Sequence, residues 1–104
     1  MTKETEKAFK ILYCEYKRRR KSGFTRENSI KFTGNELLNL PAFSDWLRPD
    51  IRSAMAELAS LHFIKENIIG DYFLENSAIE YMDSKPKEVF EDLSKLFNLA
   101  SLFM

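Results

Sequence analysis

Apolar residues recur along this chain at two periods, one close to 3.6 residues and one close to 2, and the switches between them predict a string of short elements. From about 5 to 21, Phe9, Leu12, Tyr13 and Tyr16 fall on one helical face, with Lys7, Lys10, Lys17, Arg18 and Lys21 opposite, which predicts an amphipathic first helix. Ser22 and Gly23 supply its stop, and the cations before them suit the negative end of a helix dipole. Ser29-Ile30-Lys31-Phe32 alternates as a short strand does, and Thr33-Gly34-Asn35-Glu36 has the spacing of a capping box opening a second, short helix with Leu37, Leu38 and Leu40. Pro41 ends that helix, and 42–48 is expected to form a turn with Phe43, Trp46 and Leu47 inward. Pro49 suits the first position of a third helix, about 49–61. That helix would bury Ile51, Ala54, Met55, Leu58 and Leu61 and expose Arg52, Ser53, Ala56, Glu57 and Ser60. The runs 62–65 and 71–74 flank Glu66-Asn67-Ile68-Ile69-Gly70 as the strands of a hairpin would. Asn76 is placed to cap a helix bearing Ala78, Ile79 and Met82, and Pro86 separates it from a last helix, about 87–104.

Composition sharpens this picture mainly by exclusion. Nine Phe, four Tyr and one Trp against three Gly and three Pro in 104 residues describe a mostly helical globular chain with material for one core, hence a single domain over 1–104. Cys14 is the only cysteine and His62 the only histidine, which removes an intrachain disulfide, a cysteine zinc site and paired-histidine chemistry; no cofactor or metal is expected. The apolar runs are far short of a membrane span, and Met1-Thr2-Lys3-Glu4 opens without an apolar signal core, so a cytoplasmic location is expected and a membrane partner is not. No Gly-rich phosphate loop, no nucleophile with a matching base and no spaced acid pair is found, and an enzyme is not expected. Net charge is zero but uneven: residues 1–52 hold twelve Lys/Arg against seven Asp/Glu, and residues 53–104 hold four against nine. That polarity gives a basic and an acidic face, unless the halves intermingle and cancel locally.

In order, the elements are helix, short strand, helix, turn, helix, two-stranded hairpin and further helix. The stretch 48–82 resembles bacterial winged helix-turn-helix proteins of the MarR, PadR and YjcQ type. The resemblance rests on Ile51, Met55 and Leu58, then Leu61-His62-Phe63-Ile64 where those families have a Leu-x-x-Gly-Tyr/Leu-Ile pattern. Tyr72-Phe73-Leu74 followed by Ile79-Glu80-Tyr81-Met82 is similar to their exit from the wing. Two departures stand out: His62 takes a position that is usually Gly, and Asn76-Ser77-Ala78 replaces Thr-x-x-Gly. The resemblance implies an α+β, mostly α winged helix with a small antiparallel wing and an extra C-terminal helix. It also implies a DNA-binding, dimeric transcriptional regulator whose third helix enters the major groove. On that footing Arg48, Arg52, Ser53 and Glu57 become base-facing candidates, with Lys65 and Asn67 on the wing.

Each candidate has a plainer alternative. The cluster Lys17-Arg18-Arg19-Arg20-Lys21 would contact phosphates, Arg18, Arg19 and Lys21 foremost, or simply complement a helix end. Cations on the third helix and wing are few, so the same surface suits a protein partner in an interaction module without DNA binding. Cys14, among Lys10, Lys17, Arg18 and Lys21, would be an activated thiol or a partly buried inert one. His62, at a helix-to-strand junction, is expected to be structural. The last helix becomes apolar around most of its circumference, and Leu96, Leu99, Leu102 and Phe103 are candidates for a homodimer interface unless they pack on their own domain.

Overall fold

The computed structural model describes residues 1–84. The expected last helix, with Leu96, Leu99, Leu102 and Phe103, lies outside the described residues. Within them the chain is mostly helical, with a three-stranded antiparallel sheet: α1 (Lys3–Lys21), α2 (Arg26–Ile30), β1 (Lys31–Phe32), α3 (Gly34–Leu38), a 3-10 turn (Pro41–Phe43), α4 (Arg48–Ser60), β2 (Ile64–Glu66), β3 (Tyr72–Leu74) and α5 (Asn76–Asp83).

The long helix α1 begins where Thr2 accepts a hydrogen bond from the Thr5 amide, with Glu4 and Glu6 in the first turn and four cations in the last. It ends at Gly23, whose φ of 96° only glycine adopts without strain. Its buried residues, Thr5, Ala8, Phe9, Ile11, Leu12, Tyr13, Tyr16 and Arg19, spread beyond one stripe because α1 packs against both α2 and α4.

The strand expected at 29–32 is half helix. Thr25 caps the Asn28 amide and starts α2 before the alternation begins. Ser29 is buried and returns its hydroxyl to the Thr25 carbonyl, so its polarity does not mark an outward position. Only Lys31 and Phe32 pair with the sheet. Thr33 opens α3 as expected, accepting from the Glu36 amide, but the Glu36 carboxylate takes an arginine and not the Thr33 amide. α3 stops at Leu38, and Leu40 precedes the 3-10 turn, where Phe43 packs edge-to-face with Trp46. Leu47, expected inside, is 69% exposed: its carbonyl accepts from Asp50 and Ile51 as the cap of α4, and its side chain stands clear.

α4 buries Ile51, Ala54, Met55 and Leu58 as expected, whereas Leu61 is exposed because the helix has already ended at Ser60. The end is a Schellman motif. The His62 amide donates to the Ala59 carbonyl, the Phe63 amide donates to the Leu58 carbonyl, and His62 itself has φ of 64°. The residue that departs from the resembled families' glycine thus occupies a left-handed position that glycine fills at lower cost. Strand order is β1-β3-β2, and the registers place Phe32, Tyr72, Leu74 and Ile64 on the core side and Lys31, Phe73 and Lys65 in one row on the other. The N-cap position of α5 is Glu75 and not Asn76, and no side chain caps the helix there. The Asn76 side chain instead accepts from Arg26, and Ser77 donates to the His62 carbonyl. Phe9, Phe63 and Tyr81 close this end of the core, with ring centroids 4.9 to 5.8 Å apart.

Replacing His62 with Gly should raise stability by about 0.5–1 kcal/mol, since relief of the left-handed strain outweighs glycine's extra unfolded-state entropy. Urea titration of the two proteins checks this; an unchanged or lower midpoint for the glycine variant would contradict it.

Candidate nucleic-acid interface

The outer face of α4 carries Arg48, Arg52, Ser53, Ala56 and Ser60, all exposed, and its first turn starts beside the uncovered Leu47. Arg48 and Arg52 are one turn apart, and neither has an ion-pair partner among the described residues. Small side chains follow toward the C-terminal half, so this face lets another surface approach the helix backbone closely. Arg52 also acts electrostatically on a sheet residue. The Tyr72 hydroxyl is held above the usual phenol range by burial, then by the Glu66 carboxylate, and the Arg52 guanidinium pulls the other way. Tyr72 lies opposite Glu66 at the turn end of the β2–β3 hairpin, within electrostatic reach of both Glu66 and Arg52.

Glu57 does not belong to that face. Its carboxylate accepts from the Thr2 amide at 2.8 Å and from the Thr5 hydroxyl at 3.3 Å, supplying an acceptor to the first turn of α1. The expected base contact is thus a helix-to-helix tie, because the α1 N-terminus offers donors that a carboxylate satisfies well.

The arginine cluster is likewise spent inside the molecule. Arg19 is 7% exposed and donates to the carbonyls of Asn28 and Lys31. It also bonds the Glu36 carboxylate at 3.1 Å, and its guanidinium lies 4.4 Å from the Phe32 ring centroid. A side chain so enclosed is not available to phosphates, which corrects the expectation for Arg19. Arg18 pairs with Glu15, Lys17 with Asp83 at 3.4 Å, and Arg20 donates to the Phe24 carbonyl at the helix end. Of the three phosphate candidates, only Lys21 stands exposed and without an ion pair among the described residues. The charge asymmetry is in this way partly cancelled between neighbours.

On the hairpin, Lys65 is exposed on the outer row of the sheet beside Phe73 and Lys31, turned away from the Tyr72 side. Asn67 works within the turn: its side-chain oxygen accepts from the Asp71 amide at 2.9 Å, and its amide nitrogen points to the Asp71 carboxylate at 3.4 Å. Sequence reasoning passed over the two residues this turn projects, a fully exposed Ile68 and an 82% exposed Ile69. Two adjacent β-branched residues between hairpin runs were the signal that could have found them.

Cys14 is no activated thiol. Burial and then the neighbouring Glu15 push its pKa up to about 11. Among the described residues no three His, Cys, Asp or Glu side chains gather as a metal site would need, and no helix is long and apolar enough to cross a membrane. Comparison of the chain with protein-family models, curated proteins and solved structures found no match.

Two outcomes follow. Arg19→Ala should cost about 2–4 kcal/mol, because it removes an enclosed guanidinium and leaves two carbonyls without their donor and the half-exposed Glu36 without its partner, whereas Arg18→Ala should cost less than about 0.5 kcal/mol; thermal melts of both variants decide, and equal losses would refute the distinction. Cys14 should react slowly with iodoacetamide at pH 8 in the folded protein, faster as pH approaches 11, and much faster at pH 8 in denaturant.

Proposed function

We propose that this chain is a winged helix-turn-helix protein that binds duplex DNA and serves as a transcriptional regulator of bacterial or phage type. α4 would lie in the major groove and the β2–β3 hairpin would act as the wing. The observation that carries the reading is the outer face of α4, where Arg48 and Arg52 stand exposed and without an ion pair among the described residues, above small side chains. The order of elements and the β1-β3-β2 sheet support it, since a short strand ahead of α3 pairs with the far strand of the hairpin and sets the hairpin beside the helix pair. Arg48, Arg52 and Ser53 are the base-facing and phosphate-facing residues in this reading, with Lys21 and Lys65 as outlying cations. The C-terminal segment, with Leu96, Leu99, Leu102 and Phe103, joins two copies so that paired α4 helices meet half-sites about one helical turn apart.

A second reading takes the same face as a protein-interaction module. Its support is the uncovered Leu47 at the head of α4 together with the shortage of cations.

Fluorescence anisotropy with mixed-sequence duplex DNA at about 50 and 200 mM salt separates the two. The DNA reading expects affinity that falls steeply with salt. Arg52→Ala should weaken binding roughly five- to a hundredfold and flatten the salt slope by about one counterion. No binding even at the lower salt would reject the DNA reading and favour the protein partner. Light scattering on the same samples should give the mass of a dimer, and truncation after Asp92 a folded monomer.

A further inference from the structure

The outer face of the sheet carries a row of side chains in which an aromatic ring sits between two cations. Lys31 of β1 and Lys65 of β2 each stand opposite Phe73 of the central strand β3, one on either side. Both lysines are exposed, and neither makes an ion pair among the described residues. Phe73 is partly exposed and lies outside the buried core. Unlike Phe9, Phe32, Phe43 and Phe63, it makes no ring or cation contact among the described residues. The acids of this region run the other way: Asp71 and Glu75 come two residues before and after Phe73, along β3 and not across it. A third cation stands at the Glu75 end, where the exposed Arg26 donates to the uncharged side chain of Asn76. A polyanion is therefore favoured along the row from Lys31 to Lys65 and opposed along the strand.

We propose that this row is a site for single-stranded nucleic acid, in which one unpaired base stacks on Phe73 and the phosphates before and after it meet Lys31 and Lys65. Charge and spacing select this occupant. Adjacent strands lie about 4.8 Å apart, so the two lysine Cα atoms stand roughly 10 Å from each other with the ring between them. A stacked nucleotide carries a phosphate on each side, and the long, flexible lysine stems reach both. A ring that takes the face of a base, with cations along the backbone path, holds a single strand whatever its sequence, because every base has such a face. A duplex is refused here, since its bases are stacked on one another and offer only their edges in the grooves. The site is separate from α4 in position and in occupant: its row is turned away from the Tyr72 side of the sheet, and it does not depend on the duplex reading.

The test is anisotropy of the full-length chain with a labelled oligo(dT) strand of about twelve nucleotides, and separately with a duplex, at about 50 and 200 mM salt. Two variants separate stacking from charge: Phe73→Leu keeps an apolar strand residue, and Lys31→Gln/Lys65→Gln alters only exposed side chains. Circular dichroism and melting temperature report whether each is folded. The wild-type chain should bind the single strand, and Phe73→Leu should weaken that binding roughly five- to a hundredfold without changing its salt slope. The double lysine variant should flatten the slope by about 1.4, the share of two phosphates on a single strand. Arg52→Ala should leave single-strand affinity as it is, and Phe73→Leu should leave duplex affinity as it is, so this site and the α4 reading fail separately. No single-strand binding by the wild-type chain at the lower salt overturns the proposal, as does wild-type affinity in a folded Phe73→Leu, and the row is then left to an acidic protein segment. If Phe73→Leu does not fold, the lysine variant decides, and an unchanged salt slope there overturns the proposal.

Discussion

Arg19 carries a positive charge into a space that α1, α2, β1 and α3 close around it, and the layout of the outer surface follows from that enclosure. Its guanidinium takes the carbonyls of Asn28 and Lys31, at the end of α2 and the start of β1, holds Glu36 in the first turn of α3, and covers the Phe32 ring. A planar group with donors in a fixed fork can bind three acceptors and a ring face at once, which a lysine ammonium cannot do. β1 is only two residues long and would be a weak strand by itself; clamped by Arg19 on one side, it can pair with β3 on the other. Because β3 is the return strand of the hairpin, the position of the hairpin beside the helix pair depends on an arginine buried on the far side of the sheet's edge strand.

The same constraint determines where charge is left over. The basic run at the end of α1 is largely used up by Glu15, Glu36, Asp83 and helix-end carbonyls, and Glu57 is drawn off α4 by the donors at the start of α1. What remains on α4 is a face whose arginines, Arg48 and Arg52, make no ion pair among the described residues. A few unpaired cations on a helix that lets another surface come close do more for recognition than a larger number tied up in local pairs, because a paired charge must be desolvated and separated before it can serve a ligand.

Much of this fold could be read from the chain, and the parts that could not share a physical cause. α1 and α4 run long enough for the helical period to repeat several times, so their buried faces stand out in the pattern, and Thr33 declares the start of α3 by its own chemistry. α2 has five residues, little more than one turn, and over so short a span an alternating pattern cannot be told from a helical one once Ser29 is buried. Leu47 and Leu61 were misjudged because they flank α4, one at its N-cap and one just past its last turn, where the inward face of the neighbouring element no longer holds. Arg18 and Arg19 are neighbours in one basic run, and nothing local separates them; which one goes inside is decided by carbonyls and by Glu36, contributed from 9 to 17 residues away. Glu57 depends on partners more distant still, so the membership of the candidate site was less legible than the helix that bears it.

His62 shows how a departure from a pattern can preserve its geometry. A histidine in the left-handed region is strained, yet it completes the same two hydrogen bonds that a glycine would, and its carbonyl is then held by Ser77 at the start of α5. The turn out of α4 is thus tied to the element that follows the hairpin, and β2 and β3 leave and return between two fixed points. With its base held in this way and its tip locked by Asn67 and Asp71, the hairpin has little freedom to fold its isoleucines back onto the core. Their exposure is therefore a property the fold imposes and not a loop left unfinished.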